Sequence, residues 1–311
     1  MMKKIKFLIT LALATCLVIV TSFGFNRYNA SFAGGHETGD HSHGMEGALS
    51  VDVYYAEGKA AMVASTLIKG ETDAILVDSQ YVLSEGAKVA DWVEASGKNL
   101  KAIWISHPHP DHFLGLEAVL EAFPDTPVYS TADVVAVLEQ RAETYAERAR
   151  ANYGDDATSN PVIPQVYDQD FLELEGQQIE IIPMQGDAAK TAVLKVPEID
   201  TVIAPDVIYW GIYGFMLEVP TPELRSAWIE SLDMIEAMNP KKVIPGHKAP
   251  ELSLEDSLDG ISAMRSYIET YGTAVENNAT IDEARAEITA AFPDYQLPFL
   301  LEMSLNAAYA S

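Results

Sequence analysis

Cysteine is almost missing from this chain. Cys16 is the single one among 311 residues. It lies in an N-terminal stretch that reads as removable, so the mature protein is expected to hold none. That excludes disulfides, thiolate metal ligands and cysteine nucleophiles. The chain must then be held together by its core, and the roughly 280 residues beyond that stretch can bury a large one. Basic residues are also scarce, with 20 lysines and arginines against 46 acids and a formal net charge of −26. Loss of residues 1–33 would take Lys3, Lys4, Lys6 and Arg27 and no acid, leaving 16 basic against 46 acidic residues, or −30. Such a surface repels phosphate backbones, which argues against nucleic acid as a partner, and reads as a solvated acidic face.

The long apolar run is confined to the start. Lys3, Lys4 and Lys6 precede an apolar segment from Phe7 to Phe25, and Ser31-Phe32-Ala33 places small residues at −3 and −1 of a cut. Residues 1–33 are therefore read as a signal peptide, and the mature protein as periplasmic or secreted. The membrane is a partner only if this segment stays uncleaved, because the run is near the lower limit for a span. Residues 34–47 (GGHETGDHSHGMEG) carry His36, His41 and His43 and read as a flexible leader. Residues 48–311 read as one folded domain with C-terminal helices, and oligomeric state is left open.

Strand-like and helix-like segments alternate from Ala48 onward. Strands are expected at 50–56, 62–68, 72–78, 100–106, 127–130, 171–174, 178–183, 191–196, 201–204 and 242–244. Helices are expected at 84–95, 114–123, 131–153, 222–238, 254–272 and 281–291, followed by a tail. The long helix and the loop Gly154 to Pro164 have the makings of an insertion or lid. Two similar strand-rich halves suggest two sheets packed together with helices outside.

Histidine is rare as well, at 7 in the chain, yet three stand within "SHPHPDH", Ser106 to His112. Outside the leader only His107, His109, His112 and His247 remain, each directly after an apolar strand. Side chains two apart in an extended segment point the same way, so His107 and His109 can face one metal together. Pro108 and Pro110 stiffen the loop. Asp111 and His112 follow where it turns and can face a second position. Imidazole and carboxylate are ordinary ligands for zinc and similar metals.

HPHPDH after an apolar strand resembles the signature of the metallo-β-lactamase superfamily. The family's other marks occur in order between about Val51 and Lys248. An early strand ends at Asp78, "TVIAPDVIYWG" supplies Asp206 in the bridging place, and "KKVIPGHK" supplies His247. The resemblance implies an α/β (αββα) sandwich, two mixed sheets face to face with helices outside and the metal site at one edge. It also implies two divalent ions, most often zinc, with manganese or iron as alternatives, and metal-activated water attacking an ester-like bond. One position departs from the pattern. Where the family usually has a histidine after glycine, "MQGDAAKTAVLKVP" places Asp187 after Gly186. The first metal is then expected on His107, His109 and Asp187, the second on Asp111, His112 and His247, with Asp206 shared. Asp78 is expected behind the ligands, orienting a histidine or a loop amide. Asp111 or Asp206 is placed to carry a proton to the leaving group.

Tyr209 resembles the tyrosine that helps lactone-hydrolysing members bind the carbonyl. Phe113, Trp210, Tyr213 and Phe215 are candidates for an apolar pocket wall. The missing cysteine disfavours cysteine-ligand β-lactamases, and the charge disfavours nucleases. That leaves lactones, thioesters, other carboxylic esters and phosphate or sulfate esters, with β-lactams as a side activity. Export favours a small-molecule substrate. The alternative reading is a non-catalytic or mononuclear metal-binding member, in which Asp187 breaks the first site.

Overall fold

A computed structural model describes residues 48–56 and 61–310. The segments expected as a signal peptide (1–33) and a histidine-bearing leader (34–47) lie outside the described residues. The strands form two mixed sheets. The first runs β1 (Ser50–Tyr55), β2 (Ala64–Lys69), β3 (Asp73–Val77), β4 (Asn99–Trp104), β5 (Val128–Ser130) and β6 (Gln165–Val166), in that spatial order. Its first two pairings are antiparallel and its last three parallel. The second holds β7 (Phe171–Leu174), β8 (Gln177–Met184), β9 (Thr191–Val196), β10 (Thr201–Trp210) and β11 (Lys242–Lys248), ordered β11-β10-β9-β8-β7. Only β10 and β11 pair in parallel.

The apolar runs of the central strands follow from burial on both faces. In β3, Ile75 and Val77 point between the sheets, while Ala74 and Leu76 point outward under helices. β4 repeats this, with Ala102 and Trp104 inward and Ile103 outward. In β10, Ile203 faces inward and Val202 and Ala204 face the opposite helical layer. Period-two alternation therefore sorts one continuous apolar string into two cores.

On the outside of the first sheet lie α1 (Leu83–Ala95), α2 (Pro110–Phe113), α3 (Leu116–Ala122) and α4 (Ala132–Tyr153). The Thr131 hydroxyl caps α4 at the Val134 amide (3.3 Å), and Gly154 at φ 60° ends it. Val134, Val135, Leu138, Ala142 and Ala149 form its buried stripe. The second sheet is covered by α5 (Pro222–Ala237), α6 (Asp259–Asn277), α7 (Ile281–Ala291) and α8 (Pro298–Ala308). Thr280 and Glu283 make a reciprocal capping box at the start of α7. Among the described residues no helix is long and apolar enough to cross a membrane.

Several elements differ from the sequence reading: β6 was not expected, and the helix expected at 254–272 runs Asp259–Asn277. β10 does not stop at Ala204 but runs on to Trp210 through a bulge between Ala204 and Tyr209. β11 runs on through Pro245, Gly246 and His247 to Lys248, where a turn was expected. The tail after α7 holds α8, whose Leu300, Leu301 and Leu305 are buried. Its place is set by distant partners: Ser304 accepts from the Met216 amide (2.9 Å), and its carbonyl accepts from the Tyr271 hydroxyl (3.1 Å).

Candidate metal centre

Four strand ends converge at one edge of the sandwich. The segment after β4 brings His107, His109, Asp111 and His112. The β8–β9 turn brings Asp187, the bulge of β10 brings Asp206, and β11 brings His247. His107, His109, Asp187 and Asp206 form one group, and Asp111, His112 and His247 a second, with donor atoms within 4.8 Å of one another in each. All of these are buried except Asp111, which is half-buried.

Asp206 sits between the groups. Its Oδ2 lies 3.4 Å from His107 Nε2 and 3.2 Å from His247 Nε2, and its Oδ1 lies 3.2 Å from His112 Nε2. The bulge makes this possible. Asp206 is at φ 49°, a left-handed conformation that Asp tolerates better than most residues. The carbonyls the bulge frees are both taken: Asp206 O accepts from the Asp187 amide (3.1 Å), and Val207 O from Trp228 Nε1 (2.9 Å). Gly186 leaves no room for a side chain, since a Cβ there would lie 2.6 Å from the Asp206 carbonyl.

Asp187 reaches His109, with Oδ2 3.1 Å from Nδ1. The Tyr209 hydroxyl lies 2.7 Å from Asp187 Oδ2 and 2.6 Å from Asp206 Oδ2, and its ring stacks on His247 at 4.5 Å. Asp111 Oδ2 lies 3.6 Å from His247 Nε2 and 3.8 Å from His112 Nε2.

Asp78 stands behind the candidate ligands. Its Oδ2 is 2.8 Å from His112 Nδ1 and 2.7 Å from Ser106 Oγ, and its Oδ1 accepts the Ser106 amide (2.9 Å). The contact with Nδ1 sets His112 with its proton there, leaving Nε2 as a donor for metal. His247 is set the same way by the Ala61 carbonyl, 2.7 Å from Nδ1. Sequence reasoning missed Ser106, the Ala61 carbonyl and Glu218. Ser106 borders the motif and was open to notice. Glu218 Oε1, 3.7 Å from His109 Nε2, comes from an irregular segment with no sequence signal.

The pocket-wall residues divide. Phe215 packs edge-on against His109 at 5.4 Å. Phe113, Trp210 and Tyr213 do not line the site; they fill cores. Phe113 is fully buried against Tyr145, and Trp210 and Tyr213 belong to the cluster under the C-terminal helices. Apolar residues flanking a motif on a doubly covered sheet pack the layers first.

Burial and charge oppose each other here. Burial alone would lower the His109 and His112 imidazoles. The neighbouring carboxylates, chiefly Asp187 for His109 and Asp206 for His112, outweigh it and hold both well above the usual range. Burial would raise Asp206, but His247, His112 and His107 hold it well below. Asp187 is raised by burial and by Asp206, against the pull of His109. Of two carboxylates sharing one tyrosine, the one facing three imidazoles keeps its charge.

His107 Nε2, His112 Nε2, Asp187 Oδ1 and Asp206 Oδ1 are buried with no hydrogen-bond partner. Buried polar atoms are rarely left so. A set of nitrogen and carboxylate donors converging within ligand reach fits divalent metal.

Fold and site together define a two-sheet α/β sandwich with a candidate metal centre at one edge. The metallo-β-lactamase superfamily profile matches residues 58–247, and the chain belongs to that superfamily. A probable metallo-hydrolase from Streptococcus pyogenes serotype M6 is 23% identical over 187 residues, covering 58% of this chain and 80% of that protein. A hydroxyacylglutathione hydrolase from Neisseria meningitidis serogroup A is 28% identical over 89 residues, covering 29% of this chain and only 32% of that protein. In fold, the chain is similar to a metallo-β-lactamase family protein from Thermus thermophilus. The TM-score is 0.59 at 16% identity, over 84% of this chain and 91% of that one.

Proposed function

We propose that this chain is an exported hydrolase that uses two divalent metals to cleave an ester-like bond in a small molecule: a lactone, a thioester or another carboxylic ester. The observation that carries it is the set of buried, unpartnered ligand atoms in two groups joined by Asp206. Divalent ions bound there would supply water activation and polarisation of the ester-like bond. Metal at the first position would be held by His107, His109 and Asp187, at the second by Asp111, His112 and His247, with Asp206 common to both. Two carboxylates at the first position make it harder than an all-histidine one, so manganese or iron joins zinc as a candidate.

The chain's own residues do the rest. Asp78 and the Ala61 carbonyl hold the His112 and His247 tautomers. Tyr209, nearly inaccessible to solvent, ties Asp187 to Asp206 and so positions ligands instead of meeting a substrate carbonyl. Asp111 is the one ligand carboxylate with a solvent-facing edge, so it can pass a proton to the leaving group. The partial likeness to a hydrolase of an acyl conjugate supports keeping thioesters among the substrates.

The test is metal content per chain by elemental mass spectrometry, beside hydrolysis of an ester, thioester and lactone panel with and without chelator. About two metals and chelator-sensitive hydrolysis restored by metal are expected. A fully loaded protein that cleaves nothing in the panel would instead make the chain a metal-binding member without catalysis.

A further inference from the structure

A histidine that gives one ring nitrogen to a metal keeps its hydrogen on the other, and that N–H needs an acceptor when it is buried. His112 has Asp78 behind it and His247 has the Ala61 carbonyl. Behind His107 stands Ser106. Its Oγ lies 3.0 Å from His107 Nδ1 and 2.7 Å from Asp78 Oδ2. Ser106, His107 and His112 are fully buried and Asp78 nearly so, which keeps bulk water from competing for these atoms.

Counting hydrogens gives this chain of contacts a direction. A carboxylate offers only lone pairs, and a serine hydroxyl has one hydrogen. Asp78 Oδ1 takes the Ser106 amide, and Oδ2 faces Ser106 Oγ and His112 Nδ1. The hydroxyl hydrogen therefore goes to Asp78, and Oγ turns a lone pair to His107. Nδ1 must then carry the ring hydrogen, which leaves Nε2 bare. Nε2 is the buried atom that has no hydrogen-bond partner and faces Asp206 Oδ2 at 3.4 Å. The contacts behind the ring and the bare atom in front of it agree.

The backbone of Ser106 is held separately. Its amide donates to Asp78 Oδ1 (2.9 Å), and its carbonyl accepts from the Ala192 amide of β9 (3.0 Å). Removing the hydroxyl leaves both of these bonds in place.

We propose that Ser106 is a positioning residue for the first metal position. Its hydroxyl passes the hold of Asp78 on to His107, so one carboxylate oxygen orients a histidine in each of the two groups. This rests on the two-metal reading above. Without the hydroxyl, a metal on Nε2 leaves the Nδ1 hydrogen buried and unmet. In the metal-free chain the ring hydrogen can move to Nε2, where Asp206 accepts it. The loss therefore falls on metal binding more than on folding.

The experiment titrates the metal-free full chain with zinc against a chromophoric chelator. Ser106→Ala is expected to lower the affinity for one of the two ions about tenfold and to leave the other within about twofold. Asp78→Asn should weaken both. Melting of the metal-free Ser106→Ala chain should fall by less than about 4 °C, as for one lost hydrogen bond. Equal loss on both ions from Ser106→Ala, or loss on neither, overturns the proposal. A metal-free melting drop of about 10 °C or more would make the role structural and overturn it too. If the wild type takes up one zinc ion or none, the two-metal reading fails, and imidazole nitrogen NMR decides on Ser106 alone. A His107 hydrogen on Nδ1 then supports the relay, and a bare Nδ1 overturns it.

Discussion

Replacing Asp78 by asparagine tests how the ligand tautomers are held. Asp78 makes three buried contacts through two oxygens: Ser106 N to Oδ1 (2.9 Å), Ser106 Oγ to Oδ2 (2.7 Å) and His112 Nδ1 to Oδ2 (2.8 Å). Asparagine keeps the size but offers one oxygen and one NH2 group. With the NH2 group toward Ser106 N, two donors face each other, at a cost of about 1–3 kcal/mol for a buried unmet donor. With the NH2 group toward His112, Nδ1 must accept, and the imidazole proton moves to Nε2, the atom that faces Asp206 and the metal position. Either way metal binding weakens. Loss of an outer partner of this kind costs about 10- to 100-fold in metal affinity, or about 1.4–2.7 kcal/mol. Competition against a chromophoric chelator reads the affinity directly, and melting of the metal-free protein reads the folding cost. Metal affinity within about twofold of wild type would refute the tautomer argument.

Asp187→Ala should lower metal content from about two ions per chain to about one, because the group of Asp111, His112 and His247 does not contain it; full content with full activity would end its role as ligand. Glu175 reaches across from the β7–β8 turn to accept the Glu71, Thr72 and Asp73 amides at 2.6, 2.7 and 2.8 Å. These amides lower its pKa from 4.5 to about 2. Its contribution is therefore full above pH 4.5 and lost as pH falls towards 2, so the stability gap between wild type and Glu175→Gln should close over that range. A denaturation midpoint difference that ignores pH would contradict this. Gly115→Ala would place a Cβ 2.0 Å from the Ser79 carbonyl, in the segment that carries Asp78. A stability loss toward the upper end of about 1–3 kcal/mol is expected, and an unchanged melting midpoint would show that the segment yields freely.

Much of the site was legible because its ligands are local. Four of them fall within residues 107–112, where two prolines and period-two geometry dictate the presentation. His247 was legible as a polar residue closing an apolar string, and Asp206 through the family resemblance. Trp210 and Tyr213 misled because apolar residues beside a site look the same whether they face a substrate or a helix layer. Here α6 and the segment after α7 cover them. The length of β10 was hidden for a related reason. Its bulge at Asp206 is stabilised by Trp228 and Asp187, which lie 22 and 19 residues away in sequence.

By itself, then, the sequence determined the acidic character, the alternation of strands and helices, and the order of the donor residues. These depend on composition and on periodicities a few residues long. The tertiary structure alone decided that Asp206 stands between both groups and that Tyr209 binds carboxylates. Each of these depends on which distant segments meet, and a chain reports that only once both of its cores are packed.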